Sequence, residues 1–264
     1  MRKGLFTSGR TYARQMPLTL SHPAAVLPLR RLGLPMTSMV IGSMVPDIPL
    51  YLGSRRGYDL AHSPLGVPTV DVLGALIVLA VWFAILRDPL VDLAPSAIRS
   101  RLTPRARLTR PQWLLAPVGA LIGAITHVAW DSFTHYDRWG SDRVGWLRSE
   151  HLGMAGLKWA QYASGVLGLA VLGWFAIAHL RSLPPLGTPR PARVLSTLAL
   201  AAVVVLAGLT GLASAASAAS GGLQAMAFRG VVSSIIVFVV GGGSVCLTWQ
   251  VARQRRAAAR VDEA

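Results

Sequence analysis

One cysteine and eleven acidic residues are all that 264 positions supply of the side chains on which much enzyme chemistry depends. The lone Cys246 excludes an internal disulfide and a Cys-based metal centre, and its place inside an apolar run points to packing. Charged residues make up 14% of the chain against 53% apolar, a balance that speaks against a soluble or disordered protein and for a membrane protein. The scarcity of acids leaves a net charge of +15. Its carriers lie in loops and tails between apolar runs, which is the pattern of membrane topology and not of nucleic-acid binding. Residues 1–20 lack a continuous apolar core and a small-residue cleavage site, so no cleavable signal is read there and the spans themselves are expected to do the targeting.

What is present in quantity is apolar sequence. Windows at about 70–86, 112–130, 157–180, 195–219 and 229–250 approach or exceed the length needed to cross a bilayer. The last two are rich in small residues ("GLASAASAASGG", "VVGGGSV"), which lets helix backbones approach closely. The expected fold is an all-α polytopic membrane bundle of five long spans preceded by a short-helix hairpin. In "LSHPAAVLPLRRLGLPMTSMVIGSMVPDIPLYLG", "GLP" separates two short helices at about 22–32 and 36–46. At 1.5 Å per residue each is only about 15 Å long, too short to cross. A hairpin of the two returns His22 and Asp47 to one end, lies in or beside the interface, and lets Arg30 and Arg31 snorkel at its tip. Three segments follow: 1–15, a dispensable extension if Met16 opens the working chain; 16–180, the helical domain with the candidate site; and 181–264, two C-terminal spans.

Alternate loops differ in basic residues. Six fall in 87–111, three in 181–194 and four after 250, against two in 53–69, four in 131–158 and one at 229. The heavier set is expected in the cytoplasm, and it remains heavier when Arg30 and Arg31 are added to the other side and residues 1–15 are left out. His62, His127, Asp131, His135 and His151 then belong to the outward face.

The stretch "GAITHVAWDSFTHYDRW" spaces His127, Asp131 and His135 four apart, one stripe of a helix. Ionisable groups at membrane depth are costly and usually functional. The plainer alternative is a His–Asp hydrogen bond tying two helices. On a regular helix His135 lies about 12 Å from His127, so the two cannot share one ion, whereas Asp131 can bridge two. Other ligands are available: Asp47 between Pro46 and Pro49, His62 before the first long span, and His22 after a possible cap at Ser21. His151 is a weaker candidate, Asp71 a helix cap or a partner of a ligand, and His179 an interfacial residue. Asp47, His62, His127 and Asp131 form a nitrogen-and-oxygen set suited to zinc and acceptable to manganese or iron. Such an ion would lower the pKa of a bound water, with Asp47 or Asp131 accepting its proton.

"MPLTLSHPAAVLPLRR", "GSMVPDIPLYL", "HSPLG", "THVAWDSFTH" and "LKWAQYASGVLG" resemble segments of a bacterial membrane family known as domain of unknown function 4184, over residues 16 to about 180. The last of these segments brings in Lys158, Gln161 and Ser164. More distantly, the order of Asp47, His62, His127 and Asp131 is similar to membrane-bound metal-dependent hydrolases and to the zinc-dependent phospholipase C fold. That resemblance implies one zinc on these four residues, with His22 sharing Asp131 and with His135 and His151 serving a further ion. Ala155 stands where it would require a Glu, so one or two ions are expected. The function implied is a hydrolase of phosphoester or lipid-linked substrates at the outer membrane surface, with Lys158 near the developing negative charge. The alternative is a non-catalytic membrane protein with a structural site. A transporter would call for broken spans and an internal repeat, and neither stands out.

Overall fold

A computed structural model describes residues 19–187 and 191–262. The expectation for residues 1–15 lies outside the described residues. Most of the described residues are helical, and the strands among them are one pair of two residues each, Glu150–His151 and Met154–Ala155. Five helical stretches are long and apolar enough to cross a membrane: Val67–Leu93, Arg110–Arg143, Gly156–Ser182, Leu198–Ser217 and Ala219–Ala259. The chain is an all-α membrane protein, with the long helices where the apolar windows place them. We label the helices α1 (Met36–Gly42), α2 (Arg55–Ala61), α3 (Val67–Leu93), α4 (Arg110–Thr134), α5 (Gly156–Ser182), α6 (Leu198–Ser217) and α7 (Gly222–Asp262).

The described residues form two compact units, 19–80 with 108–178 and 81–107 with 179–187 and 191–262. Residues 81–107 therefore belong with the C-terminal helices and not with the 16–180 domain. Specific bonds hold them there. Asp92 accepts from Arg99 Nη2 (2.7 Å), Trp249 Nε1 (2.8 Å) and the Val194 amide (3.0 Å), and Gln250 Nε2 donates to the Ile85 carbonyl at 3.1 Å. Cys246 is buried beside the Leu86 carbonyl, in the packing role its position suggests. In the same unit Gly211 of α6 faces Gly230 and Ser234 of α7 so closely that an added Cβ would collide with Ser234.

The first unit carries the candidate site. Its central helix, α4, starts on a capping box in which Thr109 N donates to Gln112 Oε1 (2.9 Å) and Gln112 N to Thr109 Oγ1 (3.4 Å). One face of α4 is small and buried: Ala116, Gly119, Ala120, Gly123 and Ala124. Against this face lies α1, whose Gly42 meets the Ala120 backbone, while Gly123 meets the Met39 carbonyl. The hairpin is thus drawn down beside α4 from the level of His127 to that of Gly119, about 12 Å along the helix axis. The first arm departs from the expected α-helix: Thr19–Leu32 is a 14-residue 3-10 helix containing Pro23 and Pro28. At about 2.0 Å per residue it is about 28 Å long, nearly twice the expected reach. Arg30, near its far end, sits 5.8 Å over the Phe175 ring of α5.

Exposed tryptophans mark two levels on this unit, Trp130 and Trp159 near one end and Trp113 and Trp174 toward the other. The levels are about 25 Å apart along α4 and about 22 Å along α5, close to the thickness of a hydrocarbon core with interfacial aromatics on both sides. His127 and Asp131 flank Trp130 and so lie at one of these interfacial levels.

Candidate metal centre

Three elements, a turn, a helix end and a helix face, deliver four side chains to one buried point. Asp47 closes a 3-10 turn, Val45–Asp47, in which Pro46 sets the backbone. His62 is the C-cap of α2, and His127 and Asp131 sit one turn apart on α4. All four are buried, from 0% exposed for Asp47 and His127 to 7% for His62. One ligand atom from each lies within 4.8 Å of the other three.

Hydrogen bonding decides which atoms face inward. His127 Nδ1 donates to the Ser43 carbonyl at 2.8 Å and His62 Nδ1 to the Tyr58 carbonyl at 2.9 Å. A carbonyl can only accept, so both rings carry their proton on Nδ1 and present a bare Nε2 lone pair to the centre. Thr19 Oγ1 donates to Asp47 Oδ2, and Tyr51 in turn donates to Thr19 at 2.8 Å. His22 Nε2 donates to Asp131 Oδ1 at 2.9 Å. Left buried with no hydrogen-bond partner in the cluster are His22 Nδ1 and the four atoms Asp47 Oδ1, His62 Nε2, His127 Nε2 and Asp131 Oδ2.

The spacing of these four is that of ligands. Tetrahedral zinc with bonds of about 2.0–2.1 Å separates neighbouring donor atoms by about 3.3–3.4 Å. Here His62 Nε2 and His127 Nε2 each stand 3.4 Å from Asp131 Oδ2, and His127 Nε2 stands 3.5 Å and His62 Nε2 3.9 Å from Asp47 Oδ1. A charge-assisted hydrogen bond would close these gaps to about 2.7–2.9 Å. Two carboxylates and two neutral imidazoles sum to two negative charges, the complement of a divalent cation. The acids stay ionised when positive charge stands between them.

With this geometry in place, the family comparison adds an identity. The chain belongs to the family described as Domain of unknown function (DUF4184). The family model matches residues 16–251, taking in the whole site, all of α6 and most of α7. No curated protein and no solved structure matches the chain.

The remaining candidates of this DUF4184 chain are placed as follows. His22 and His135 stand outside the four-atom group, on the other oxygen of Asp131, at 2.9 Å and 3.4 Å from Oδ1. His22 also stacks on His127, ring centroids 4.1 Å apart. His135 is nearer the centre than a regular helix allows, because α4 ends at Thr134 and His135 is extended (φ −121, ψ 150). His151 stacks on Trp146 and its Nε2 donates to the Trp146 carbonyl at 3.0 Å, away from the cluster. His179 is exposed. Lys158 and Gln161 are buried behind His135, and Ser164 accepts from Trp130 Nε1 at 3.3 Å.

Asp71 departs from the expected cap. It is 1% exposed and neither oxygen has a hydrogen-bond partner. It ends a π-helical turn, Val67–Asp71, that packs against α4 and against the Asp47 turn. The sequence signal was an acid one turn into an apolar span, a position where a mere cap would face water.

Proposed function

We propose that this DUF4184 protein is a multi-pass membrane hydrolase that holds one divalent ion, zinc by its donor set, on Asp47, His62, His127 and Asp131. Its substrate class is a phosphoester or lipid-linked phosphoester at the extracytoplasmic face of a bacterial cell membrane. The observation that carries the reading is the set of four buried, unpartnered donor atoms at ligand spacing. Manganese or iron would accept the same donors. When bound, the ion would lower the pKa of a coordinated water and polarise a phosphoryl oxygen.

The chain's own groups supply the rest. Thr19, held in turn by Tyr51, occupies Asp47 Oδ2 and leaves Oδ1 to the ion. Asp71, with two unpartnered oxygens on a turn packed against the Asp47 turn, is a proton acceptor that a purely structural site would not need. Exposed Trp130, Trp139, Trp146 and Trp159 at this end suit a headgroup-level substrate. The heavier basic loops on the other side support the outward orientation.

A second reading rests on one specific observation: four buried protein ligands can close a tetrahedral shell, as structural zinc sites do. One experiment separates the two. Zinc-loaded protein in lipid nanodiscs is offered phosphomonoester, phosphodiester and lipid-headgroup substrates, with chelator-treated protein and His127→Ala as controls. Zinc-dependent turnover that His127→Ala abolishes supports the hydrolase. Stoichiometric zinc without turnover of any substrate supports the structural site.

A further inference from the structure

Asp131 is surrounded by four histidines. His62 and His127 address Oδ2, and His22 and His135 address Oδ1. Whether His135 is a ligand or a donor turns on which ring nitrogen carries its proton. Its environment answers this through a chain that starts at a lysine.

Lys158 Nζ donates to Gln161 Oε1 at 2.8 Å. An ammonium has only donors, so the oxygen of the Gln161 amide must face it, and the NH2 group faces the other way. That group stands 3.2 Å from His135 Nε2. An NH2 can only donate, so His135 Nε2 is the acceptor and the ring proton is on Nδ1. The Nδ1–H is then donated to Thr134 Oγ1, with Nδ1 3.1 Å from that oxygen and 3.4 Å from Asp131 Oδ1 beside it. All the side chains in the chain are buried: Lys158 5%, Gln161 3%, His135 2% and Asp131 1% exposed.

We propose that Lys158 and Gln161 lock the tautomer of His135, so that its Nδ1–H bonds Thr134 and stands against Asp131 Oδ1 as a positive edge that positions the carboxylate, and the ring is not a ligand to an ion. His22, donating to the same oxygen, acts in the same sense. With Oδ1 facing two N–H groups, only Oδ2 is left to the centre, and the site takes one ion. Lys158, bound behind His135, is a positioning residue and does not face substrate. The inference rests on the metal-centre reading for its effect on affinity, but the tautomer itself does not depend on a metal.

Nitrogen-15 NMR of histidine-labelled full-length protein in detergent reads the tautomer, with His135→Asn identifying the His135 signal. Expected in both chelator-treated and zinc-loaded protein is a neutral His135 protonated on Nδ1. Lys158→Met and Gln161→Met should let the proton move to Nε2. A wild-type ring protonated on Nε2 overturns the proposal.

Zinc titration supplies the second readout. Wild type and His135→Ala should each take one equivalent. The alanine variant should bind about tenfold more weakly, the low end for losing an outer partner of a metal ligand, and His135→Asn should stay within about threefold of wild type. The asparagine amide nitrogen, attached to Cγ as Nδ1 is, restores the donor. Loss of one of two equivalents in both His135 variants would make His135 a ligand and overturn the proposal. Wild type that binds no zinc refutes the metal centre, and the NMR of the metal-free protein still decides the tautomer.

Discussion

Replacing Asp131 by Asn tests the charge balance of the centre with almost no change of shape. Oδ2 of Asp131 is one of the four inward donor atoms, and Oδ1 accepts from His22 at 2.9 Å. The amide removes one of the two negative charges facing a divalent ion. It also places either an NH2 against the His22 N–H or an NH2 toward the ion. For unit charges 4 Å apart at an effective dielectric of about 20, the Coulomb energy is about 4 kcal/mol. At 1.4 kcal/mol per decade this corresponds to about a thousandfold in Kd, a lower bound for a doubly charged partner at shorter range. The assay is competition between detergent-purified protein and a chromophoric zinc chelator, with circular dichroism confirming that the helices persist. Asp131→Asn should weaken zinc binding by about a thousandfold or more, and exposed His179→Ala should leave it unchanged. A loss of less than tenfold for Asp131→Asn would refute the charge reasoning and favour a His–Asp hydrogen-bond tether.

Other consequences follow from packing, ionisation and topology. Gly123→Ala would drive a methyl into the Met39 carbonyl, whereas Gly173 has open space around it. Thermal unfolding in detergent should show the first destabilised by about 1–3 kcal/mol and Gly173→Ala unchanged. Burial, with a smaller contribution from Asp47, pushes the Tyr51 phenol from 10.0 up to about 12. The folded state therefore holds that proton more tightly, so its stabilisation is complete below pH 10 and fades as pH rises toward 12. Tyr51→Phe should flatten this alkaline loss in a series of melts, and an unchanged slope would contradict it. For orientation, Leu152 is 94% exposed at the tip of the small hairpin on the site's side, and Ala97 is exposed in the loop after α3. In a Cys246→Ala background, Leu152→Cys should react with an impermeant thiol reagent on intact cells and Ala97→Cys should not. The reverse labelling would turn the site toward the cytoplasm.

The long helices were legible because twenty or so consecutive apolar residues have few alternatives to a span, and "GLP" between two short helices marked the hairpin. The length of its first arm was not legible. The estimate assumed an α-helical rise, whereas Pro23 and Pro28 sit in a 3-10 helix of greater rise per residue. The small-residue stripe that draws the hairpin inward was visible as Ala116, Gly119, Ala120, Gly123 and Ala124, in a span read for its histidine. The four residues brought together at the centre were named from four-residue spacing and from Pro and Ser-Pro neighbours, without tertiary information. Periodicity misled at His135, since one extended residue after Thr134 turns the ring back toward Asp131. No sequence pattern distinguishes the two oxygens of Asp131. That distinction comes from the Ser43 and Tyr58 carbonyls and from Gln161, which are remote in the chain.

The central claim is that Asp47, His62, His127 and Asp131 hold an ion. Inductively coupled plasma mass spectrometry tests it most directly, on protein purified in detergent without added metal, comparing wild type, His127→Ala and His179→Ala. About one equivalent of a divalent transition metal, chiefly zinc, should accompany wild type and His179→Ala and be lost from His127→Ala. No metal on the wild type, even after zinc is supplied, or equal metal on all three proteins, would contradict it.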